Sequence, residues 1–510
     1  MHISHISPPF SPQQLLTILQ KSTKNTHKKP IKQIHSHLTT NGYLLITSKW
    51  TNTLLYNALI HAYTTLSHPQ TTLILFTHMV FHQAPPNKLT FPSLIKSSTS
   101  SLNQAKPNQT KPYTSKWGNW GRVCEYEVFR QSCVESTSWL IFGKTLHAQA
   151  IRRGLYDDPF VKTSLMSMYS CGCEIWSARE MFDELSQPCV VSCNAMLDGY
   201  VKNRDMGSAV SLFWDMNVRD VYSWTSVING YAKSERFFEA IELFAKMMRD
   251  DDVSKGLVRP NEATFVSVLS SCASFDGVGG LFQGKQVHGF MIRNEYELSV
   301  YMGTALISFY GKRGCLEYAI RLFETMVIKE VCAWNALISI LALNGREMQA
   351  LEMFAKMKAG GWNPNEVTFV AVLSACARAK LVDLGLELFQ SMSNGFNVEP
   401  MMEHYGCVVD MLGRAGLLKE AYQFVTSMPF KADATVLGAL LGACRVDGDV
   451  ELGNEVGKLL LEVQPYHCGS YVQLSSIYAG AEKWDNAATL REQMVDAGIE
   501  KIPAYSIIQT

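Results

Sequence analysis

The amino-terminal quarter of this sequence lacks acidic residues. No Asp or Glu precedes Glu125 in the 510-residue chain, whereas twelve Lys and Arg residues do. The rest of the chain carries 34 basic and 46 acidic residues, so the formal net charge of the whole chain is zero. A strongly basic balance would point to a nucleic-acid partner. Net charge therefore assigns no such partner here.

The sequence also lacks the marks of a membrane protein or a disulfide-stabilised protein. No apolar run reaches the roughly 18 residues that a membrane-spanning helix needs, so we expect no membrane association. The thirteen cysteines fall at no disulfide-like spacing. Cys272 and Cys376 recur at one register of an apolar helical segment. We interpret the cysteines as reduced core thiols rather than bridges or metal ligands.

Catalytic motifs are missing as well. A zinc deaminase needs His-x-Glu together with Cys-x-x-Cys, because these residues hold the metal and move protons. Neither string occurs, and His-Glu-x-x-His and Gly-x-Ser-x-Gly are also absent. A phosphate-loop spacing at residues 279–285 places Gln286 where a Mg²⁺-binding hydroxyl is required. We therefore expect no catalytic residue, no metal ligand, no cofactor and no enzymatic activity.

The segment Val331–Asn365 contains two short helical patterns. Apolar residues recur at i, i+3, i+4 and i+7 in the first, at Trp334, Leu337, Ile338 and Leu341. A second apolar stripe consists of Ala350, Leu351, Phe354 and Met357. Gly345 separates the two patterns, and Gly360 and Pro364 end the second. A helical hairpin of this size cannot bury its own apolar faces, so it needs similar neighbours.

The second stripe recurs along the chain as Ala-x-x-(Leu/Met)-Phe-x-x-(Met/Leu). Its alanines are Ala178, Ala209, Ala240, Ala319 and Ala350, and degenerate copies begin at Gly385 and Ala421. Several steps are 31 residues long, and the last two are 35 and 36. Periods of about 20–50 residues are typical of solenoids, in which each repeat covers the core of its neighbour. The sequence predicts an all-α solenoid of helix-turn-helix repeats.

Several strings resemble one family closely. They are YNALI at 56–60, WNALI at 334–338, LSACA at 373–377 and EHYGCVVDMLGRAG at 403–416. They resemble the plant pentatricopeptide repeat (PPR) proteins, in particular the mixed-length (PLS) branch. The resemblance implies a right-handed α-solenoid with a carboxy-terminal E-type extension and without a DYW deaminase domain.

Five segments are expected from repeat boundaries and composition. Residues 1–12 are expected to be a short organellar transit segment; the alternative is a repeat-bearing amino terminus that lacks acidic residues. Residues 13–102 form amino-terminal repeats, and residues 139–433 form the main array. Residues 103–138 fit no repeat period and are polar and Pro/Gly-broken, which indicates an inserted loop or an intron read as coding. Residues 434–510 resemble the E-type extension.

The resemblance assigns RNA-base reading to the fifth and last residues of a repeat. The pairs are Asn57/Asn87, Thr163/Cys189, Asn194/Asp220, Thr225/Asn261, Thr304/Glu330 and Asn335/Asn365. The apolar second residues that would wedge between bases are Leu54, Phe160, Val191, Tyr222, Tyr301 and Cys332. Helix capping is the alternative role for any single Asn or Thr. Three repeats, which begin at Lys88, Glu262 and Glu366, resemble the long type of the family. Their fifth residues, Pro92, Val266 and Val370, cannot read a base by hydrogen bond, and Gly406 leaves the readout of its repeat open.

The resemblance also implies a function, partners and an RNA sequence. The expected partner is a single-stranded organellar transcript on which the chain marks a site for C-to-U editing. A deaminase-bearing or other editing-factor protein would dock on residues 434–501. The alternatives are a factor for splicing, stability or translation, and a protein-interaction scaffold. The expected location is the mitochondrion, with the chloroplast as alternative.

The resemblance also predicts the RNA sequence that the repeats bind. For the repeats from Thr53 to Asn365, this sequence should be pyrimidine, two unassigned bases, U, A, two unassigned bases, pyrimidine.

Overall fold

The computed structural model describes residues 12–24, 28–40, 43–46, 49–105, 139–249, 258–275 and 277–501. These residues form α-helices joined by short turns, and no strand occurs among them. The all-α prediction is thereby confirmed. Most of the predicted transit segment (residues 1–11), most of the predicted insertion (residues 106–138) and residues 502–510 lie outside the described residues.

The chain folds into two compact units, Met1–Ser234 with Met247–Arg259 and Glu235–Lys246 with Pro260–Thr510. The helices of the first unit are α1 (Pro12–Lys24), α2 (Lys28–Thr40), α3 (Tyr43–Ile46), α4 (Lys49–Thr65), α5 (Pro69–Phe81), α6 (Thr90–Ala105), α7 (139–152), α8 (Pro159–Cys171), α9 (Ile175–Asp183), α10 (Val190–Lys202), α11 (Met206–Asp215) and α12 (Val221–Lys233). Helix α13 (Phe237–Arg249) is divided between the units.

The helices of the second unit are α14 (Glu262–Ser274), α15 (Val278–Arg293), α16 (Val300–Lys312), α17 (Leu316–Thr325), α18 (Val331–Leu343), α19 (Glu347–Ala359), α20 (Glu366–Ala379), α21 (Val382–Phe396), α22 (Met402–Arg414), α23 (Leu418–Thr426), α24 (Ala434–Asp447), α25 (Val450–Val463), α26 (Cys468–Gly480) and α27 (Trp484–Asp496). Helices α24 to α27 make two hairpins within the segment expected to be the E-type extension.

Both units are built by stacking hairpins. In the first unit, the first helices of successive repeats pack in the order α4, α6, α8, α10 and α12. In the second unit the order is α14, α16, α18, α20, α22, α24 and α26. Within each unit, successive first helices therefore contact one another. This arrangement is the α-solenoid that the repeat periods predict.

The recurring stripe forms the core between repeats. Its alanines are fully buried. Its phenylalanine packs edge-on against an aromatic ring of the next first helix: Phe213 on Trp224 at 4.9 Å between ring centroids, Phe323 on Trp334 at 4.7 Å and Phe354 on Phe369 at 6.0 Å. Burying a side chain of this size contributes about 1.5–3 kcal/mol. Each hairpin thus depends on its neighbour for stability.

One turn position needs a left-handed backbone. The fifteenth residue of the short and standard repeats joins the two helices with positive φ, as at Gly345 (77°) and Gly416 (78°). Residues with a side chain rarely adopt this conformation. A glycine at this turn avoids the strain of a side chain, although Ser67, Cys173, Arg204 and Glu235 adopt the same conformation at this position of other repeats.

Helix α6 overlaps the start of the predicted insertion. Helix α6 continues to Ala105, so the first three residues of the predicted insertion are helical. Its amino-terminal apolar residues already anchor it, because Phe91, Leu94 and Ile95 are buried. Helix α6 also packs directly on α8, the first helix of the repeat after the insertion.

None of the described helices is both long and apolar enough to cross a membrane.

Candidate nucleic-acid interface

The second residues of several repeats expose large apolar side chains. Phe160 is 72% exposed and Tyr301 is 62% exposed, and Val191 and Tyr222 are also exposed. Leu54 is half-buried. Large apolar side chains that are exposed at the same position of several repeats indicate a surface that contacts another molecule.

Tyr222 is held by the preceding repeat. Its hydroxyl donates to Oδ2 of Asp198 at 2.5 Å, and Ser226 Oγ donates to Oδ1 of the same carboxylate at 2.9 Å. Desolvation, together with the bond to Asp198, raises the pKa of Tyr222 to about 12. The phenol therefore stays protonated at physiological pH, and its ring has a fixed position on the surface.

Fifth-residue asparagines bond to the last residue of the same repeat. Nδ2 of Asn57 donates to Oδ1 of Asn87 at 3.0 Å. Nδ2 of Asn194 donates to Oδ1 of Asp220 at 3.1 Å. In the same way, Nδ2 of Asn335 donates to Oδ1 of Asn365 at 2.9 Å. Three of the six predicted pairs are thus joined directly, although their members lie 26 to 30 residues apart in sequence.

The same Oδ1 atoms also accept from the start of the next first helix. The backbone N–H donors are Leu89 to Asn87 at 3.0 Å, Ser223 to Asp220 at 2.8 Å and Thr368 to Asn365 at 3.1 Å. Capping requires an acceptor, so the orientation of each asparagine amide is fixed. Nδ2 of Asn87 and Asn365 and Oδ2 of Asp220 have no hydrogen-bond partner among the described residues. Each joined pair therefore keeps one polar atom for a ligand.

The carboxylate of Asp220 is ionised at physiological pH. Desolvation would raise its pKa, but the hydrogen bonds from Ser223, Asn194 and the Tyr222 backbone outweigh that effect, and the pKa is lowered. The unpartnered oxygen of Asp220 can therefore only accept a hydrogen bond, whereas Nδ2 of Asn87 or Asn365 can only donate one.

Fifth-residue threonines behave differently. The hydroxyls of Thr163, Thr225 and Thr304 donate to the carbonyl oxygen four residues earlier, at 2.6, 2.7 and 2.7 Å. This hydrogen bond directs the hydroxyl proton to the backbone of the same helix. Thr163 makes no hydrogen bond to Cys189 and Thr304 makes none to Glu330. Thr225 and Asn261 belong to different units.

Comparisons with known proteins agree with this repeat organisation. The PPR repeat family model matches residues 329–378, and the PPR repeat model matches residues 191–221, 222–251, 304–331 and 367–394. The E motif model matches residues 448–509. A pentatricopeptide repeat-containing protein of Arabidopsis thaliana is 45% identical over 499 residues, which cover 98% of this chain and 98% of the relative.

The chain belongs to the pentatricopeptide repeat family. A second Arabidopsis thaliana member is 32% identical over 521 residues, covering 99% of this chain and 100% of the relative. The family resemblance and the E-type extension read from the sequence are thereby confirmed.

Solved structures are less similar. The pentatricopeptide repeat protein PPR10 in complex with an 18-nt psaJ RNA element has a TM-score of 0.45 and 16% identity, covering 97% of this chain and 76% of that chain. Yeast Rmd9p in complex with a 16-nt target RNA has a TM-score of 0.33 and 13% identity, covering 98% and 99%. At these values the family assignment rests on the sequence matches.

Helix capping is a real role of the last residues of these pentatricopeptide repeats. Asp220, Asn261 and Asn365 each form a capping box with the third residue of the next helix. Cys189 and Glu330 occupy the same N-cap position without a side-chain cap. The fifth-residue asparagines lie within helices and cap nothing. Capping and ligand contact are compatible, because the cap uses only one of the two terminal atoms.

The third residue of the following repeat is part of this network, and the sequence reasoning missed it. Thr90, Ser223 and Thr368 are fully buried, and each donates its hydroxyl proton to Oδ1 of a fifth-residue asparagine. The sequence pattern that could have predicted this residue is a Ser or Thr three residues after an Asn or Asp at the end of a repeat, which is the spacing of a capping box.

Basic side chains share the face of the exposed second residues. Lys202, Lys233 and Lys312 are the thirteenth residues of their repeats and lie exposed in the last turn of the first helix. At 3.6 residues per turn, the thirteenth and second positions of a helix differ by only about 20° around its axis. This face therefore combines apolar rings, paired polar groups and ammonium groups.

Side chains that could hold a metal are not grouped in the described part of the chain, where no three His, Cys, Asp or Glu residues cluster suitably. The half-buried Pro92, Val266 and Val370 occupy the fifth position of the long repeats. Their side chains offer no hydrogen-bonding group to a base, nor does that of the half-buried Gly406.

Proposed function

We propose that this pentatricopeptide repeat protein binds single-stranded RNA and reads its sequence one base per repeat. The observation that carries the proposal is the joined pair, which recurs three times with one terminal polar atom left over. Repeats of this family read one base with two or three side chains. The chain offers such a set wherever an asparagine occupies the fifth position.

The terminal polar atoms without a hydrogen-bond partner can distinguish uracil from cytosine. Oδ2 of Asp220 can only accept, and uracil offers a donor at N3 where cytosine offers an acceptor. The Asn194/Asp220 repeat should therefore select uridine. Nδ2 of Asn87 or Asn365 can only donate, which suits the N3 acceptor of cytosine and the carbonyl oxygens of both pyrimidines. The two Asn/Asn repeats should accept either pyrimidine.

Affinity would come from stacking and charge. Phe160, Tyr222 and Tyr301 present faces on which neighbouring bases can stack, at about 1–3 kcal/mol per base. The thirteenth-position lysines are placed to meet phosphates along the same face, which would make binding salt-dependent. A net charge of zero is compatible with RNA binding, because the bound RNA contacts only this face and interacts with its local charge.

We further propose that the bound site is a C-to-U editing site. The E motif match supports this, as does the apolar surface of the segment 434–501, where Val446, Tyr466 and Trp484 are exposed. An exposed apolar surface is suited to a protein partner. A deaminase-bearing or other editing-factor protein would dock there and supply the chemistry, and this chain would supply none. The proposed location is the mitochondrion.

The test in vivo is to sequence organellar RNA from a plant line that lacks the protein. Loss of one C-to-U edit in a mitochondrial transcript, preceded by the expected base string, supports the proposal. A splicing, stability or translation defect with every edit intact would favour a different RNA-binding role. The same loss in a chloroplast transcript would correct the location. In vitro, the purified chain with added zinc should form no uridine from cytidine in the RNA.

A further inference from the structure

Each fifth-residue asparagine receives a hydrogen bond from the next repeat. Thr90 Oγ1 donates to Oδ1 of Asn57 at 2.6 Å, and Ser223 Oγ donates to Oδ1 of Asn194 at 2.7 Å. Thr368 Oγ1 donates to Oδ1 of Asn335 at 2.6 Å. The donor is always the third residue of the following repeat, so two repeats build the surroundings of one asparagine.

The direction of these bonds is fixed by the backbone. The backbone N–H of the last residue of the preceding repeat donates to the same hydroxyl, from Asn87 at 3.0 Å, from Asp220 at 3.2 Å and from Asn365 at 3.0 Å. The hydroxyl is therefore an acceptor toward the backbone, and its single proton goes to the nearest acceptor, the asparagine oxygen. This bond holds the oxygen inward and directs Nδ2 toward the last residue.

Two of the repeats with a threonine in the fifth position do not use the third residue in this way. Ser192 follows Thr163, is also buried, and donates to the backbone oxygen of Cys189 at 2.8 Å. Ala333 follows Thr304 and has no hydroxyl at all. In these two repeats, the start of the next helix alone does not produce the contact.

We propose that the third residue of a repeat is a positioning residue for the base read by the repeat before it, through its bond to Oδ1 of the fifth-residue asparagine. The inference rests on the proposed RNA binding and deepens it. Without the hydroxyl, the asparagine amide is free to turn over. Its oxygen would then face the oxygen of the last residue, and the atom offered to the base would no longer be defined.

The chain offers a matched pair of variants to test this. Ser223→Ala removes a hydroxyl bonded to Asn194, and Ser192→Ala removes the same group one repeat earlier, where it donates to the backbone oxygen of Cys189 and not to the fifth residue Thr163. The probe is a library of single-stranded RNAs with randomised bases, from which the full-length wild type and each variant select their preferred sequences. Both variants lose the hydrogen bond that the buried hydroxyl donates, and Ser223→Ala also loses the one accepted from the Asp220 backbone N–H, so the melting temperature of each variant is measured beside its selectivity.

We expect Ser223→Ala to lose selectivity for uridine at the base of the Asn194/Asp220 repeat. The loss should be about three- to tenfold, the equivalent of one hydrogen bond. Selectivity at the other bases should be unchanged, Ser192→Ala should select the wild-type sequence, and Ser223→Thr should restore the uridine. If Ser223→Ala fails to fold, Thr368→Val tests the same effect at the pyrimidine of the Asn335/Asn365 repeat.

Two results would overturn the inference while leaving RNA binding standing. One is an unchanged uridine preference in a folded Ser223→Ala protein. The other is a uniform loss of affinity at all bases, since a merely structural hydroxyl would act in that way. If the wild type itself selects no sequence, the proposed function fails and the inference fails with it.

Discussion

Asn335 and Asn365 lie thirty residues apart in sequence, yet their side chains are joined by a 2.9 Å hydrogen bond. Asn335 lies inside the first helix of its repeat, and Asn365 caps the first helix of the next repeat. Because the cap and the bond both use Oδ1 of Asn365, its Nδ2 remains for a ligand. This relationship, repeated at Asn57/Asn87 and Asn194/Asp220, is the basis of the proposed base reading.

Replacing Asn261 by Asp should change one base of the preferred RNA from A to G. Asp caps a helix as well as Asn does, so the capping box with Thr264 should persist. The free terminal atom changes from a donor, which suits the N1 acceptor of adenine, to an acceptor, which suits the N1–H of guanine.

The measurement for Asn261→Asp is a binding competition between RNAs that differ only at the fifth base of the expected string. The matched control is Asn365→Asp, which should move the last pyrimidine toward U and leave the A in place. An unchanged preference for A in Asn261→Asp would show that the assignment of bases to repeats is wrong.

Truncating an exposed second residue should weaken RNA binding without unfolding the protein. Phe160 is 72% exposed, so Phe160→Ala removes little buried area. If a base stacks on its ring, the loss is on the order of 1–3 kcal/mol of binding free energy. Trp176 in the second helix of the same repeat is 81% exposed and is the control. We expect Trp176→Ala to bind RNA as the wild type does, measured by fluorescence anisotropy. Equal losses in both variants would argue against stacking on the second residues.

Stability should fall in mild acid because three half-buried histidines are each hydrogen-bonded to a tyrosine of the next repeat. The pairs are His35 with Tyr63 at 3.0 Å, His147 with Tyr169 at 2.8 Å and His288 with Tyr310 at 2.9 Å. Burial lowers the pKa of each imidazole below the ordinary 6.5. The folded chain therefore binds these protons less readily than the unfolded chain.

Lowered histidine pKa values make the folded state less stable in acid. Above about pH 6.5 both states hold neutral imidazoles, so the contribution of these groups to stability is constant; it decreases as the pH falls through 6.5 toward the lower folded pKa. Melting temperatures across this range should drop less in His288→Gln than in the wild type. Tyr310→Phe removes the bond but keeps the half-buried imidazole, so its acid sensitivity should remain. Acid sensitivity that is identical in His288→Gln and the wild type would contradict this origin.

Two glycine substitutions should have opposite effects on stability. Gly345 has φ of 77° and a Cβ there meets no atom within 4 Å, so Gly345→Ala costs only backbone strain. We expect a loss of about 1–2 kcal/mol. Gly438 lies within α24, where an added Cβ also meets nothing within 4 Å. Gly438→Ala should gain about 0.5–1 kcal/mol. Chemical denaturation measures both, and destabilisation by both variants would mean that α24 does not tolerate a side chain there.

The helical repeats could be read from the sequence because one apolar period fixes which side of each helix is buried. Phe213, Phe323 and Phe354 were predictable as core residues for that reason. The repeat position of the paired residues came from the family resemblance. The contact between the paired residues could not be predicted in this way, since the approach of Asn194 to Asp220 depends on how closely one hairpin packs on the next. The roles of Ser223 and of Asp198 were missed because a helical period describes one helix and these bonds join two.

The most direct test of base reading is the RNA sequence that the purified full-length chain selects from a randomised single-stranded library. The joined pairs predict the two pyrimidines and the U, and the family resemblance at Thr225/Asn261 predicts the A. The selected motif, read 5′ to 3′, should therefore be pyrimidine, two unassigned bases, U, A, two unassigned bases and pyrimidine. The absence of any enriched sequence, or a motif in which U and A are not adjacent, would contradict it.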